Sequence, residues 1–183
     1  DKTGIVWVGT AGMGINFYDY KANRFSILSK TMEPGSRITG FSVRSILEEN
    51  NDIVWISTAV LYRWNRKTGE LKSYETSSDK LDDFGNTGVW TMIKSSDGKI
   101  STTTTEGLYR YDPRTEKARQ YKFNPEDSSG LPQKDVYAVF EDQQRSIWIA
   151  TENYLSKLVD IDKGIFKKFR YQSSSSLSGQ VRT

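Results

Sequence analysis

Four residues of this chain are large, chemically varied and confined to one register. Arg44, Trp90, Tyr137 and Arg182 each follow a Val, and those four, Val43, Val89, Val136 and Val181, are 46, 47 and 45 positions apart. Trp and Tyr can stack on sugar faces, and Arg can grip a carboxylate or sulfate with two parallel N–H donors. The slot can equally serve for packing, because amphipathic side chains cover apolar surface with their stems and rings; both readings stay open. Covalent chemistry is poorly served. The chain has no His and no Cys, which removes the commonest general base, a Ser-His-Asp triad and a phospho-accepting His. It also removes disulfides and thiolate metal sites, without fixing the compartment. Glu48-Glu49 and Asp82-Asp83 have the residue type of a glycosidase pair, but both fall on loops or turns, where carboxylates are expected to be solvated. Asp160 and Asp162 flank a hairpin turn, and two carboxylates fall short of the roughly six or more oxygens calcium takes. No catalytic residue, metal ligand or cofactor is expected.

The elements that must hold these residues are written into the same repeat. Twelve positions after Val43, Val89 and Val136 stand Trp55, Ser101 and Trp148, and Trp7 takes that slot in a first, incomplete unit. Three positions further on come Thr10, Thr58, Thr104 and Thr151, followed by Ile15, Leu61, Leu108 and Leu155. A fixed period of this size marks a repeat architecture. Each unit holds four short apolar or alternating runs separated by turn signals, as expected of consecutive antiparallel strands. In the second unit the runs are 43–47, 53–58, 61–64 and 71–74. Asp97-Gly98 and the turn around Gly69 favour tight hairpins because Gly takes the positive φ they need. No run has a helical period, so the chain is expected to be all-β.

A four-stranded meander cannot bury both its faces alone, and radial stacking of copies gives a β-propeller. The expected organisation is a propeller segment of about four four-stranded blades. Residues 1–42 make a first blade without its inner strand, 43–88, 89–135 and 136–180 three further blades, and 181–183 the start of another inner strand. The Val strand is innermost and the Phe/Tyr strand outermost. Polar connections place further candidates on one face: Met13 and Tyr154 from the turns after the Thr strand, and Arg37, Asn86 and Lys134 from the long loops. Trp7, Trp55 and Trp148 are expected to fill the space between blades, as are Trp64, Tyr18 and Tyr111 at another shared slot. Arg63, Arg110 and Lys157 recur in the third strand and are read as blade structure rather than a ligand clamp.

These units resemble the two-component regulator propeller repeat. The residues that carry the resemblance are Asp1, Gly4, Trp7, Gly9 and Thr10 in the first unit and Trp55, Thr58, Leu61 and Arg63 in the second. In the third they are Asp97, Gly98, Gly107, Leu108, Tyr109, Arg110, Tyr111 and Asp112, and in the fourth Asp142, Trp148, Thr151, Leu155 and Lys157. Ser101 departs from the pattern by replacing a Trp, and Ser57, Thr103 and Ala150 replace the Gly of Gly9 with small residues. The resemblance implies the extracytoplasmic, periplasmic sensor of a hybrid histidine kinase in a polysaccharide-degrading Gram-negative bacterium. It implies that the four blades are part of a larger ring of about seven, and it implies a glycan fragment as ligand, with the kinase chemistry elsewhere in a longer protein.

Composition agrees with a secreted β domain. A net charge of +3, from 26 basic and 23 acidic residues, with no basic stripe, argues against nucleic acid. No apolar stretch approaches a membrane span. The expected partners are an oligosaccharide and either a second copy or further blades, because an open arc leaves apolar blade faces wet. The alternative function is a structural or dimerisation propeller without a small ligand; an enzyme is the weakest reading, since fold does not bring activity with it.

Overall fold

The computed structural model describes residues 1–11, 14–28, 38, 42–74 and 88–171. All fifteen regular elements among them are strands, grouped into two compact units, Asp1–Val89 and Trp90–Thr183. The first unit holds a three-stranded sheet of β1 (Ile5–Gly9), β2 (Ile15–Asp19) and β3 (Arg24–Ile27), and a four-stranded sheet of β4 (Ser45–Glu48), β5 (Ile53–Ser57), β6 (Leu61–Asn65) and β7 (Leu71–Ser73). The second holds β8 (Met92–Lys94), β9 (Ile100–Thr104), β10 (Gly107–Asp112) and β11 (Lys117–Tyr121) in one sheet, and β12 (Ala138–Glu141), β13 (Ile147–Ala150), β14 (Tyr154–Asp160) and β15 (Ile165–Arg170) in the other. Every sheet is an antiparallel meander in chain order, which is the blade of a β-propeller. Gly69 and Gly98 turn two of the hairpins with φ of 79° and 81°, values an L side chain seldom adopts.

The inner strands begin two or three residues later than the sequence pattern suggests, and the reason is a hand-over between sheets. Val43 donates its amide to Thr10 of the preceding sheet (3.2 Å), and Val136 likewise to Thr104 (3.0 Å). Each Thr in turn folds its hydroxyl onto the turn that follows it: Thr10 donates to the Gly14 carbonyl (2.8 Å), Thr58 to Val60 (3.1 Å) and Thr104 to Gly107 (3.0 Å). The recurring Thr hydroxyl is thus a second donor to a carbonyl that already accepts the backbone amide of the same Thr, as at Gly14 (3.1 Å) and Val60 (2.9 Å), and it tightens the chain reversal.

Within each unit the sheets pack face to face. In the first, Ile15 and Leu28 join Val54, Ile56, Tyr62 and Trp64 in one core, with Trp7 and Phe17 against it. In the second, Leu108, Tyr121 and Leu131 meet Val136, Val139, Ile147, Ile149, Leu158 and Phe166. In both, the face bearing the Trp slot of one sheet lies on the aliphatic face of the next. Each such side chain removed from water is worth about 1.5–3 kcal/mol.

The recurring Trp residues are held by a clamp. The indole N–H of Trp7 donates to Asp1 (2.9 Å), that of Trp55 to Glu49 (2.7 Å) and that of Trp148 to Asp142 (2.7 Å), each acid six residues earlier. A cation covers the ring: Arg66 lies 5.9 Å from Trp7, Arg63 5.9 Å from Trp55 and Lys157 5.6 Å from Trp148. Glu49 is thus buried and bonded, not solvated as its loop position suggests, and Glu48 pairs with Arg66 at 3.1 Å. Neither is a glycosidase carboxylate.

Candidate ligand site

Three members of the Val-following slot are described, and they are geometrically equivalent. The amide of Arg44 donates to the Ser57 carbonyl (2.8 Å), that of Trp90 to Thr103 (2.9 Å) and that of Tyr137 to Ala150 (2.9 Å). The acceptors are the residues at the slot of Gly9, so small side chains there leave room for the inner strand to run close. A hydroxyl network pins the middle of this array: Thr91 and Thr103 share a hydrogen bond of 3.0 Å, and Thr103 also reaches the Tyr137 carbonyl at 3.4 Å.

The second unit brings two slot residues together. The Trp90 and Tyr137 rings meet edge to face with centroids 6.2 Å apart, and both are half-buried. Beside Tyr137 lies a cavity of about 300 Å³ bordered by Phe123, Gln133, Lys134, Asp135 and Glu152. Lys134 pairs with Glu106 at 2.6 Å, and that hydrogen bond holds its ammonium above the ordinary lysine pKa, so it stays charged. Gln133 fixes the loop by accepting from the Thr151 hydroxyl (2.7 Å) and the Asn153 amide (2.9 Å). The arrangement offers one rigid aromatic pair, a cation and two carboxylates, Asp135 and Glu152, around a sugar-sized hollow.

Sequence reasoning named Trp90, Tyr137, Lys134 and the Glu152–Tyr154 turn; Tyr137, Lys134 and Glu152 border this cavity, and Trp90 meets it only through its contact with the Tyr137 ring. Tyr154 opens β14 but does not border it. Arg44 holds its slot, exposed, in the first unit with its guanidinium beside Gly88. Arg182, Met13, Arg37 and Asn86 lie outside the described residues. Gln133, Glu106 and Phe123 escaped the sequence reading, because the cavity joins a long loop to a turn of the preceding sheet and no local spacing signals that.

Residues 130–153 match the family of the two component regulator propeller. That match covers 24 of the chain's 183 residues, from the end of the connection after the third sheet through β12 and β13. No curated protein matches. Among solved structures, the extracellular domain of BT4673 from B. thetaiotaomicron, described as a one component system, is 26% identical, with a TM-score of 0.69 over 92% of this chain and 21% of that one. The extracellular domain of the hybrid two component system BT3049 from the same organism is 18% identical, with a TM-score of 0.67 over 94% of this chain and 22% of that one. Virginiamycin B lyase from Staphylococcus aureus is 15% identical, with a TM-score of 0.67 over 95% of this chain and 54% of that one. The chain thus spans about a fifth of the two extracellular domains. At 15% identity the likeness to the lyase is one of fold alone; a histidine-to-alanine variant of that enzyme is described as catalytically inactive, and this chain has no His.

Proposed function

We propose that this chain is part of the extracytoplasmic, periplasmic propeller of a two-component sensor and that it holds an oligosaccharide at the Trp90–Tyr137 pair. The observation that carries the reading is the pair itself: two half-exposed rings, locked to neighbouring inner strands by backbone and Thr hydrogen bonds, open beside a cavity with a charged Lys134. Apolar rings with a few convergent polar groups are what a sugar needs, since its CH faces stack and its hydroxyls bond. Binding that favours one arrangement of the parent protein passes the signal on as a population shift. The absence of His and Cys leaves this segment without an imidazole base or a thiol nucleophile, which supports sensing over turnover. Calorimetry and Trp fluorescence against a panel of neutral and acidic oligosaccharides test this. Trp90→Ala weakens binding by ~1–3 kcal/mol while the β circular dichroism is kept. Equal binding by the variant and the parent would leave the slot a packing position.

One observation favours a packing role beside it. The Trp148 face of the fourth sheet presents Phe140 at 60% exposure, Leu155 at 45% and Phe169 at 41%, and it borders a second, apolar hollow. The corresponding face of the third sheet, with Leu108 and Tyr121, is covered by aliphatic residues of the fourth. By the same pattern a further blade covers the Trp148 face, and in its absence the chain self-associates there. Light scattering across concentration should show a mass above the monomer that Phe140→Lys lowers. A monodisperse monomer at high concentration counts against it.

A further inference from the structure

At the outer part of the third sheet lies a cavity of about 200 Å³ unlike the first in character. Lys99, Arg110, Lys117 and Arg119 border it against only two carboxylates, Asp112 and Asp162. Asp112 is engaged by Arg114, whose hydrogen bonds hold its carboxyl below the usual range. Asp162 is almost wholly exposed and lies 3.9 Å from Arg119. Lys99 and Lys117 make no ion pair among the described residues.

The register sharpens the anomaly. Arg110 of β10 and Arg119 of β11 are directly opposite each other in the ladder and so share a face, and like charges so placed repel. Arg110 is also buried, at 4% exposure. Its Nε reaches the Ser101 hydroxyl (3.3 Å) and one Nη reaches Asp97 (2.8 Å). The other, Nη1, has no hydrogen-bond partner. Tyr121 also borders the cavity; its hydroxyl donates to the Ile161 carbonyl (3.0 Å), and burial raises its pKa against the opposing pull of Arg119 and Arg110, so it remains neutral. A buried guanidinium with an unused donor, opposite a second guanidinium and flanked by two unpaired lysines, lacks an acceptor.

We propose that this cavity binds a tetrahedral oxyanion, a sulfate or phosphate group, between Arg110, Arg119, Lys99 and Lys117. The anion fills the empty donor at Nη1 and relieves the repulsion across the ladder. The site exists because Ser101 stands where the other blades carry Trp. With no indole to lie on, Arg110 sinks into the sheet, whereas Arg63 and Lys157 stack over Trp rings. Arg110 was read from sequence as blade structure, as its counterparts are; the missing Trp changes its role. The site is independent of the Trp90–Tyr137 cavity, and either can fail without the other.

The test follows the arginine Nε–Hε signals by NMR while sodium sulfate, sodium phosphate or, at matched ionic strength, sodium chloride is added. Saturable shifts at Arg110 and Arg119 with sulfate or phosphate, absent with chloride, are expected. Comparing glucose 6-sulfate with glucose 6-phosphate identifies which ester the site prefers. Lys117→Gln and Arg119→Gln alter exposed residues, so the fold is kept, and each weakens the anion by ~10-fold through loss of one charge-assisted contact. Shifts that follow ionic strength alike in all three salts, or unchanged affinity in both variants, overturn the proposal.

Discussion

In the second sheet Trp55 is fully buried, its indole N–H held by Glu49 at 2.7 Å, its ring stacked on Tyr74 at 5.5 Å and covered by Arg63. In the third sheet the same slot holds Ser101, whose hydroxyl meets Ser95 at 3.3 Å and accepts from Arg110, while Asp97 anchors the guanidinium at 2.8 Å. Both slots are closed to water and both pair an acid with a cation. The difference lies in what fills the volume between them. An indole satisfies its single donor with one carboxylate and supplies a flat face for the cation. A guanidinium brings five donors into the same space, and one group of them is left without an acceptor. Replacing an apolar anchor by a polar one thus turns a packing position into a potential binding position.

The sharpest way to break this comparison is to remove the anchor that has no substitute. Trp55→Ala should cost ~3–5 kcal/mol, as a large-to-small core change that also strips the buried Glu49 of a donor. Urea melts measure it, and a negligible loss would remove the blade register itself. A smaller effect is expected when the anchor is restored to the third sheet. Sequence alone leaves Ser101→Trp neutral or stabilising if a cavity stands at the slot. The structure shows no such cavity, because Ser101 is wholly buried and Arg110 takes the room. Ser101→Trp should therefore destabilise by ~1–3 kcal/mol through overpacking. Adding Arg110→Lys recreates the Trp148–Lys157 pair of the fourth sheet, and a double-mutant cycle should show a favourable coupling of ~0.5–3 kcal/mol. Additive effects would mean that the two positions do not share the slot.

The smallest effect concerns the acid of the clamp. The indole N–H of Trp148, and after it the Ser146 amide, hold the Asp142 carboxyl below its ordinary pKa. A group whose folded pKa is depressed adds stability above its unfolded pKa, and that contribution fades as pH falls toward the folded value. Thermal melts between about pH 5 and pH 2.5 should show the parent losing more stability than Asp142→Asn, which has no charge to lose. Parallel curves for the two proteins would detach the indole bond from acid sensitivity.

Much of the fold was legible in the chain. Strand runs, hairpins at Gly69 and Gly98 and the all-β class follow from alternation and positive-φ turns, which are local. The Val, Trp and Thr slots could be aligned because the period is nearly constant. Their roles were less legible. The acid six residues before each Trp was visible as spacing at Asp1 and Asp142, yet Glu49 read as a solvated loop acid because its neighbours are Glu48 and Asn50. For the candidate site, Trp90, Tyr137 and Lys134 were named from register and loop position. Glu106 and Gln133 were not, since they join it from a turn and a connection far apart in sequence.

By itself the sequence determined the repeat, the meander and the order of strands within each sheet, because side-chain alternation and turn chemistry act over a few residues. Only the tertiary structure decided which groups meet across sheets and loops. It buried Glu49 under Trp55, set Trp90 against Tyr137, and placed Arg110 where an indole would otherwise lie. Those outcomes depend on the volume left between packed elements and on which donors find acceptors there, and neither quantity is written in the spacing of residues along the chain.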